Sequence, residues 1–234
     1  RLLLLTTILL LIISLCGCST NVEKPSGKLQ IVATLFPQYD FAREIAGDKA
    51  EITLLAPAGA DGHTYEPTPA EIIKISESDM FIYTGEHMEG WAKRIIDSVS
   101  SKKLKVVDVS ENIDLKQANH HHGDHEENYD AHIWTDPLNA KIMVDNIVAA
   151  LCEIDSENAE YYTQRAENYK NQLSELDKMF AQTVSEARTN KLIFADSFAF
   201  LYFAERYGLE YTAAFDTCSS EAEPGARVIA QIIG

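Results

Sequence analysis

Two histidines stand alone where loop patterns give way to helical ones. His63 lies in GADGHTYEPTP, after a strand-like run, and His132 lies in YDAHIWTDP, ahead of the next helical run. Imidazole is the commonest ligand for borderline ions such as Zn2+ and its transition-metal neighbours, and it is equally a routine hydrogen-bonded group. Four of the seven histidines, His120, His121, His122 and His125, crowd into the run HHHGDH. With Asp124, Glu126 and Glu127 beside them they read as an accessory, low-affinity metal loop, or as solvated polar filler. Glu66 is placed to hydrogen-bond a ligand imidazole or to cap a helix, and Tyr65 to wall the site. His87, in TGEHMEGW, is expected near the mouth of that site, with a ligand role as its lesser reading. Trp91 and Trp134 are expected to be packing aromatics.

Such residues need a scaffold to hold them. Strand-like runs LQIVATLF (29–36), EITLLAPAG (51–59), MFIYTG (80–85) and LKVVDVS (104–110) alternate with helical PQYDFAREIAG, TPAEIIKISESD and EGWAKRIIDSV. Four β/α alternations predict a mostly parallel sheet flanked by helices. Thr68 followed by Pro69 predicts an N-cap and a first helical position. Residues 111–131 carry no apolar period and read as a polar loop; helix resumes at about Pro137. A single helix is expected over 158–188, with the stripe Tyr162, Ala166, Tyr169, Leu173, Leu176, Phe180, Val184 and Ala187. Its length is ~46 Å at ~1.5 Å per residue, enough to bridge two lobes. A second alternation follows: KLIFADSF (191–198), AFLYFAERYGL (199–209), EYTAAFD (210–216), then helical EPGARVIAQII. The fold class is therefore α/β: two βα lobes joined by one long rigid helix. The first lobe spans 29–155 with the His-rich loop at 117–130, the linking helix 156–188, and the second lobe 189–234. That lobe reads as cut short, since Gly234 falls inside a helical pattern. Folds of this class bind ligands outside the C-terminal ends of their strands, here in the cleft between lobes.

The 234 residues include 20 Lys+Arg and 36 Asp+Glu, a formal charge of −16. That balance excludes a nucleic-acid partner, which needs clustered cations. Arg1 and the apolar run 2–15 are too short to span a bilayer and read as a signal peptide covering 1–17. Leu15-Cys16-Gly17-Cys18 resembles the bacterial lipobox. It implies cleavage before Cys18 and acylation of its thiol, with Cys16 the rival. Residues 18–28 then form the lipidated cysteine and a flexible tether. The protein is expected to be extracytoplasmic and lipid-anchored to the bacterial cell membrane. An exported chain permits a Cys152–Cys218 disulfide; two buried thiols or a Cys218 metal contact are the alternatives.

The runs His63-Thr64-Tyr65-Glu66-Pro67-Thr68-Pro69, His132-Ile133-Trp134-Thr135-Asp136-Pro137 and Tyr202-Phe203-Ala204-Glu205-Arg206-Tyr207-Gly208-Leu209 resemble the zinc or manganese substrate-binding lipoproteins of ABC transporters, the TroA-like metal-binding family. The resemblance covers essentially all of 29–234. It implies a metal buried between two lobes, with His63 and His132 as ligands from the first. The family's third ligand, His or Glu, falls at Ser197 when counted back from Leu209. Serine is a poor zinc ligand, so Asp196, Glu221, Glu223 or a water held by Ser197 takes that place. The fourth, usually Asp, falls beyond Gly234. The His-rich loop accompanies zinc members and tilts the metal to Zn2+. The resemblance implies a monomeric receptor, not an enzyme, that captures Zn2+ and passes it to an ABC permease. The alternatives are a manganese or iron receptor, a surface adhesin and a zinc-dependent hydrolase; the last lacks an HExxH signature.

Overall fold

A computed structural model describes residues 27–99, 103–118 and 129–215, with the backbone alone at 196, 197 and 215. Four short apolar runs form the first sheet: β1 (Leu29–Ala33), β2 (Ala50–Leu54), β3 (Met80–Tyr83) and β4 (Lys105–Asp108). The order is β2-β1-β3-β4 and every pair is parallel, with Ile31 opposite both Ile52 and Met80. Strands of a parallel sheet are covered on both faces, which is why they read as continuous apolar runs. On one face lie α1 (Phe36–Ala46) and α4 (Pro137–Ile154), burying Ile45, Met143, Val144 and Ile147 against Ile31, Met80 and Ile82. On the other, α2 (Pro69–Glu77) and α3 (Ala92–Ser98) close over Val32 and Phe81 with Ile75, Trp91 and Ile95.

Helix starts follow local chemistry. Thr68 caps α2 with its hydroxyl on the Glu71 amide, while the Glu71 carboxylate accepts from the Thr68 amide at 2.7 Å. This reciprocal capping box, with Pro69 at the first position, is worth about 1 kcal/mol. Asp136 caps α4 by accepting from the Leu138 amide at 2.8 Å. The third helix was expected from residue 89 and begins at Ala92 instead, because Glu89 turns back into the protein interior (Discussion).

The bridging helix is α5 (Ala159–Glu186), 28 residues or ~42 Å. The N-terminal half of its stripe, Tyr162, Ala166 and Leu173, is buried on α1 and α4. Further on, Phe180 meets Phe203 at a ring separation of 5.0 Å. Ala187 lies beyond the helix, so the stripe runs shorter than its spacing suggests. The second sheet pairs β5 (Lys191–Ser197) with β6 (Glu210–Phe215) in parallel, connected through α6 (Leu201–Arg206). The run 199–209 is helical in period, yet only six residues form α6. Gly208, at φ 64°, ends it: the Leu209 amide reaches the Ala204 carbonyl at 2.8 Å and the Gly208 amide the Glu205 carbonyl. This is the left-handed glycine closure that a side chain disfavours.

Polar links tie α6 to the bridging helix, to the cap of α4 and to the segment after β4. Arg206 makes a two-pronged pair with Asp177 of α5, at 2.6 and 2.7 Å, and lies 3.2 Å from Asp136. Lys116 meets Glu205 at 2.5 Å. No helix among the described residues is long and apolar enough to cross a membrane. The expected signal segment, Cys18 and most of the tether lie outside the described residues, as does Cys218. Cys152 sits in α4 with its sulfur 3.6 Å from the Ala159 carbonyl.

Candidate metal centre

The segments after β2 and before α4 meet at the C-terminal ends of the first sheet's strands. In the first, the Asp61 carboxylate accepts from the His63 amide at 2.9 Å and the Asp61 carbonyl from the Tyr65 amide, a tight turn that presents His63. Gly62 lets that turn lie against Leu35 and Met88, since a Cβ there would come within 3.1 Å of both side chains. In the second, His132 heads the single helical turn Ile133–Thr135 that leads into α4.

The two imidazoles converge. His63 Nε2 and His132 Nε2 stand 3.3 Å apart, with the ring planes at 64°. The Asp130 carboxylate holds the opposite side of His132, accepting from its backbone amide at 2.8 Å and facing Nδ1 at 2.9 Å. A carboxylate only accepts, so it places the proton of a neutral imidazole on Nδ1 and leaves the Nε2 lone pair facing His63. His132 and Asp130 are buried, while His63 is exposed. A tetrahedral Zn2+ bound at ~2.0–2.1 Å by two imidazoles separates their nitrogens by about 3.3–3.4 Å, which is the spacing found.

The pair opens onto a cleft of about 270 Å3 walled by Leu35, Phe36, Met88, Trp134 and, from the connection between β5 and α6, Ala199. A larger apolar recess of about 380 Å3 lies beyond Phe36 and Trp134, against Leu176, Phe180, Phe200 and Phe203. Asp40 is its one acidic side chain, so the ligand chemistry belongs to the smaller cleft.

The other expected site residues fall as follows. Ser197 is the last residue of β5 and Asp196 precedes it, two and three residues ahead of the cleft-lining Ala199. Tyr65 packs behind the wall with Leu35, Met88 and Trp91, and burial pushes its phenol up to about 12. Glu66 does not reach an imidazole. It points to solvent and pairs with Arg94 at 3.5 Å. His87 is not brought to the pair: its ring lies tilted against Tyr129, with ring centres 4.9 Å apart, and it lines a separate recess with Glu86 and Asp108. Trp91 and Trp134 both pack against the core, as expected, and Trp134 also stands beside the site, its ring 5.4 Å from His132. His120, His121, His122, His125, Glu221 and Glu223 lie outside the described residues. Among the described residues, no group of three or more His, Cys, Asp or Glu is set to hold a metal. Asp130, which holds His132, is the residue at this pair that sequence reasoning missed; its signal was an acid two positions before His132.

The family model described as zinc-uptake complex component A, periplasmic (ZnuA), matches residues 31–234. The chain belongs to this family. Among ZnuA relatives, the zinc-binding lipoprotein AdcA of Streptococcus pneumoniae is 34% identical over 236 residues, covering 95% of this chain and 46% of AdcA. The high-affinity zinc uptake system protein ZnuA of Bacillus subtilis is 32% identical over 235 residues, covering 95% of this chain and 72% of that protein. The Zn(II)-bound ZnuA-like domain of S. pneumoniae AdcA superposes with a TM-score of 0.75 at 32% identity, over 88% of this chain and 73% of the domain. The chain thus spans less than half of the AdcA relative and about three quarters of its ZnuA-like domain. The ZnuA membership agrees with the α/β architecture of two parallel sheets and a bridging helix.

Proposed function

We propose that the protein is an extracytoplasmic receptor that captures Zn2+ in the cleft and delivers it to an ABC-type permease. The observation that carries this reading is the 3.3 Å approach of two Nε2 atoms, with Asp130 fixing one of them, in a chain of the ZnuA family. His63 and His132 are two of the ligands. The third ligand is one of the alternatives the sequence offers, Asp196, Glu221, Glu223 or a water held by Ser197; a carboxylate would suit Zn2+ as well as harder ions. The names of the relatives, a zinc-binding lipoprotein and a zinc uptake protein, support Zn2+ over manganese or iron. Cys18 anchors the monomeric receptor to the outer face of the membrane, and the His-rich loop gathers metal at low affinity. Such a receptor needs no turnover.

Titration of the full-length protein with Zn2+ and Mn2+ against a chelator tests this. One tight Zn2+ site, preferred over Mn2+ and kept when His120, His121, His122 and His125 are replaced, is the expected result. Tight binding that disappears with the loop and survives loss of His63 and His132 defeats the reading.

A companion expectation concerns Asp130. Asp130→Ala is expected to weaken Zn2+ by about 10–100-fold, the usual cost of losing the partner that orients a ligand imidazole. The same chelator competition measures it, and unchanged affinity refutes a role for Asp130.

A further inference from the structure

The segment carrying Asp130 pairs antiparallel with the segment after β4. Gln117 bridges Tyr129, so Lys116 stands opposite Asp130. The Asp130 amide donates to the Lys116 carbonyl at 2.9 Å. In a hydrogen-bonded antiparallel pair the two residues exchange both bonds. Here the return bond is replaced by a side chain. The Tyr202 hydroxyl accepts from the Lys116 amide at 3.1 Å and donates to the Asp130 carbonyl at 2.7 Å. A hydroxyl thus occupies the gap that a direct amide-to-carbonyl bond would close, and the ladder is held open on that side.

Tyr202 is 1% exposed, and burial pushes its phenol up to about 12, so it remains a donor at any physiological pH. Its position is set from the far side. Arg206, one turn further along α6, is fixed by Asp177 and Asp136, and Phe203 by Phe180. Helix α6 therefore grips the His132 segment two residues before the imidazole, at Asp130, and four after it, at Asp136.

We propose that Tyr202 is a positioning residue for metal capture: its hydroxyl, inserted between the Lys116 amide and the Asp130 carbonyl, sets where Asp130 stands and so where His132 aims. This rests on His63 and His132 being the metal pair. It assigns the second sheet's helix a part in the site that supplies no ligand: it tunes a ligand borne by the first. A tyrosine buried only for packing could place its hydroxyl on any free carbonyl; this one interrupts the strand pair that carries the partner of His132.

The test is Tyr202→Phe, which removes one oxygen. The wild type, Tyr202→Phe, Asp130→Ala, the double variant and His132→Ala are compared by Zn2+ competition. Visible spectra with saturating Co2+ are recorded alongside, with 15N spectra of the metal-free imidazoles. Tyr202→Phe is expected to weaken Zn2+ about tenfold, to shift the Co2+ bands and to move the His132 ring signals. In the Asp130→Ala background it is expected to add no further loss, because it acts through Asp130. A variant that melts earlier but keeps the wild-type affinity, Co2+ bands and ring signals shows a merely structural tyrosine and overturns the proposal. So does a full tenfold loss in the Asp130→Ala background. If His132→Ala leaves Zn2+ affinity unchanged, the metal reading itself fails. The His132 ring signals of the metal-free protein then decide separately: moved by Tyr202→Phe, they uphold the positioning of the ring, and unmoved, they end it.

Discussion

Replacing His132 with alanine is expected to lower Zn2+ affinity by about 100–1,000-fold, and more than replacing His63. Four ligands of a zinc-organised site share an apparent ~10–16 kcal/mol, so one is worth roughly 3–4 kcal/mol, or two to three decades in affinity. The asymmetry follows from the two environments. His132 is buried, its proton is held on Nδ1 by Asp130, and its ring is wedged beside Trp134. It enters the site already oriented, so little ordering entropy offsets the bond it makes. His63 is exposed, and beyond its approach to His132 the contact that fixes it is to its backbone, so its ring is less constrained before binding than that of His132. Its bond to the metal is reduced by that ordering cost, and a water can enter from the open side once it is gone. Chelator competition on His132→Ala and His63→Ala reads both losses. Equal losses would remove the argument from orientation, and no loss in either variant would remove the site.

The two histidines were legible because each is solitary beside a helix start, and a helix start is itself legible. Thr68-Pro69 and Asp136-Pro137 announce the caps that fix where the preceding loops must end. The first sheet was legible for a similar reason, since doubly covered parallel strands leave uninterrupted apolar runs between polar turns. What failed was pairing across the chain. Glu66 is three residues from His63, yet the turn at Asp61 sends the two side chains apart and Arg94 takes the carboxylate. His87 was expected near the mouth of the site, yet it and its neighbour Met88 line different recesses. Met88 walls the cleft, and His87 lies tilted against Tyr129 and lines another recess. The role of Tyr202 is equally a tertiary fact: its partners lie 72 and 86 residues away. No local period encodes that.

Glu89→Gln is expected to stabilise the metal-free protein by an amount that grows from near zero below about pH 4.5 to about 3 kcal/mol at pH 7 and above. Glu89 is 1% exposed. Its carboxyl accepts from the Thr34 hydroxyl and, at 3.0–3.2 Å, from the amide and hydroxyl of Thr84. It thereby ties together the segments that leave β1 and β3. Burial raises its pKa from the ordinary 4.5 to about 7, outweighing the hydrogen bonds from Thr34 and Thr84 that favour the anion; Asp108 adds to the rise. The unfolded chain therefore releases this proton first. Stability falls as pH climbs from about 4.5 to about 7 and is level beyond, since both states are then ionised. At ~1.4 kcal/mol per unit the loss comes to about 3 kcal/mol. An amide keeps the acceptor for Thr84 and offers a donor to Thr34, so Glu89→Gln removes the ionisation and leaves the contacts. Urea unfolding of both proteins at pH 5, 6, 7 and 8 isolates the effect, because every other titrating group cancels in the difference. A difference independent of pH, or a glutamine variant less stable at pH 8, contradicts it. A carboxyl buried at this cost, bonded to Thr34 and Thr84, trades stability for a polar bracket at the ends of the strands that lead to the cleft-lining Leu35 and, through the turn at Gly85, Met88.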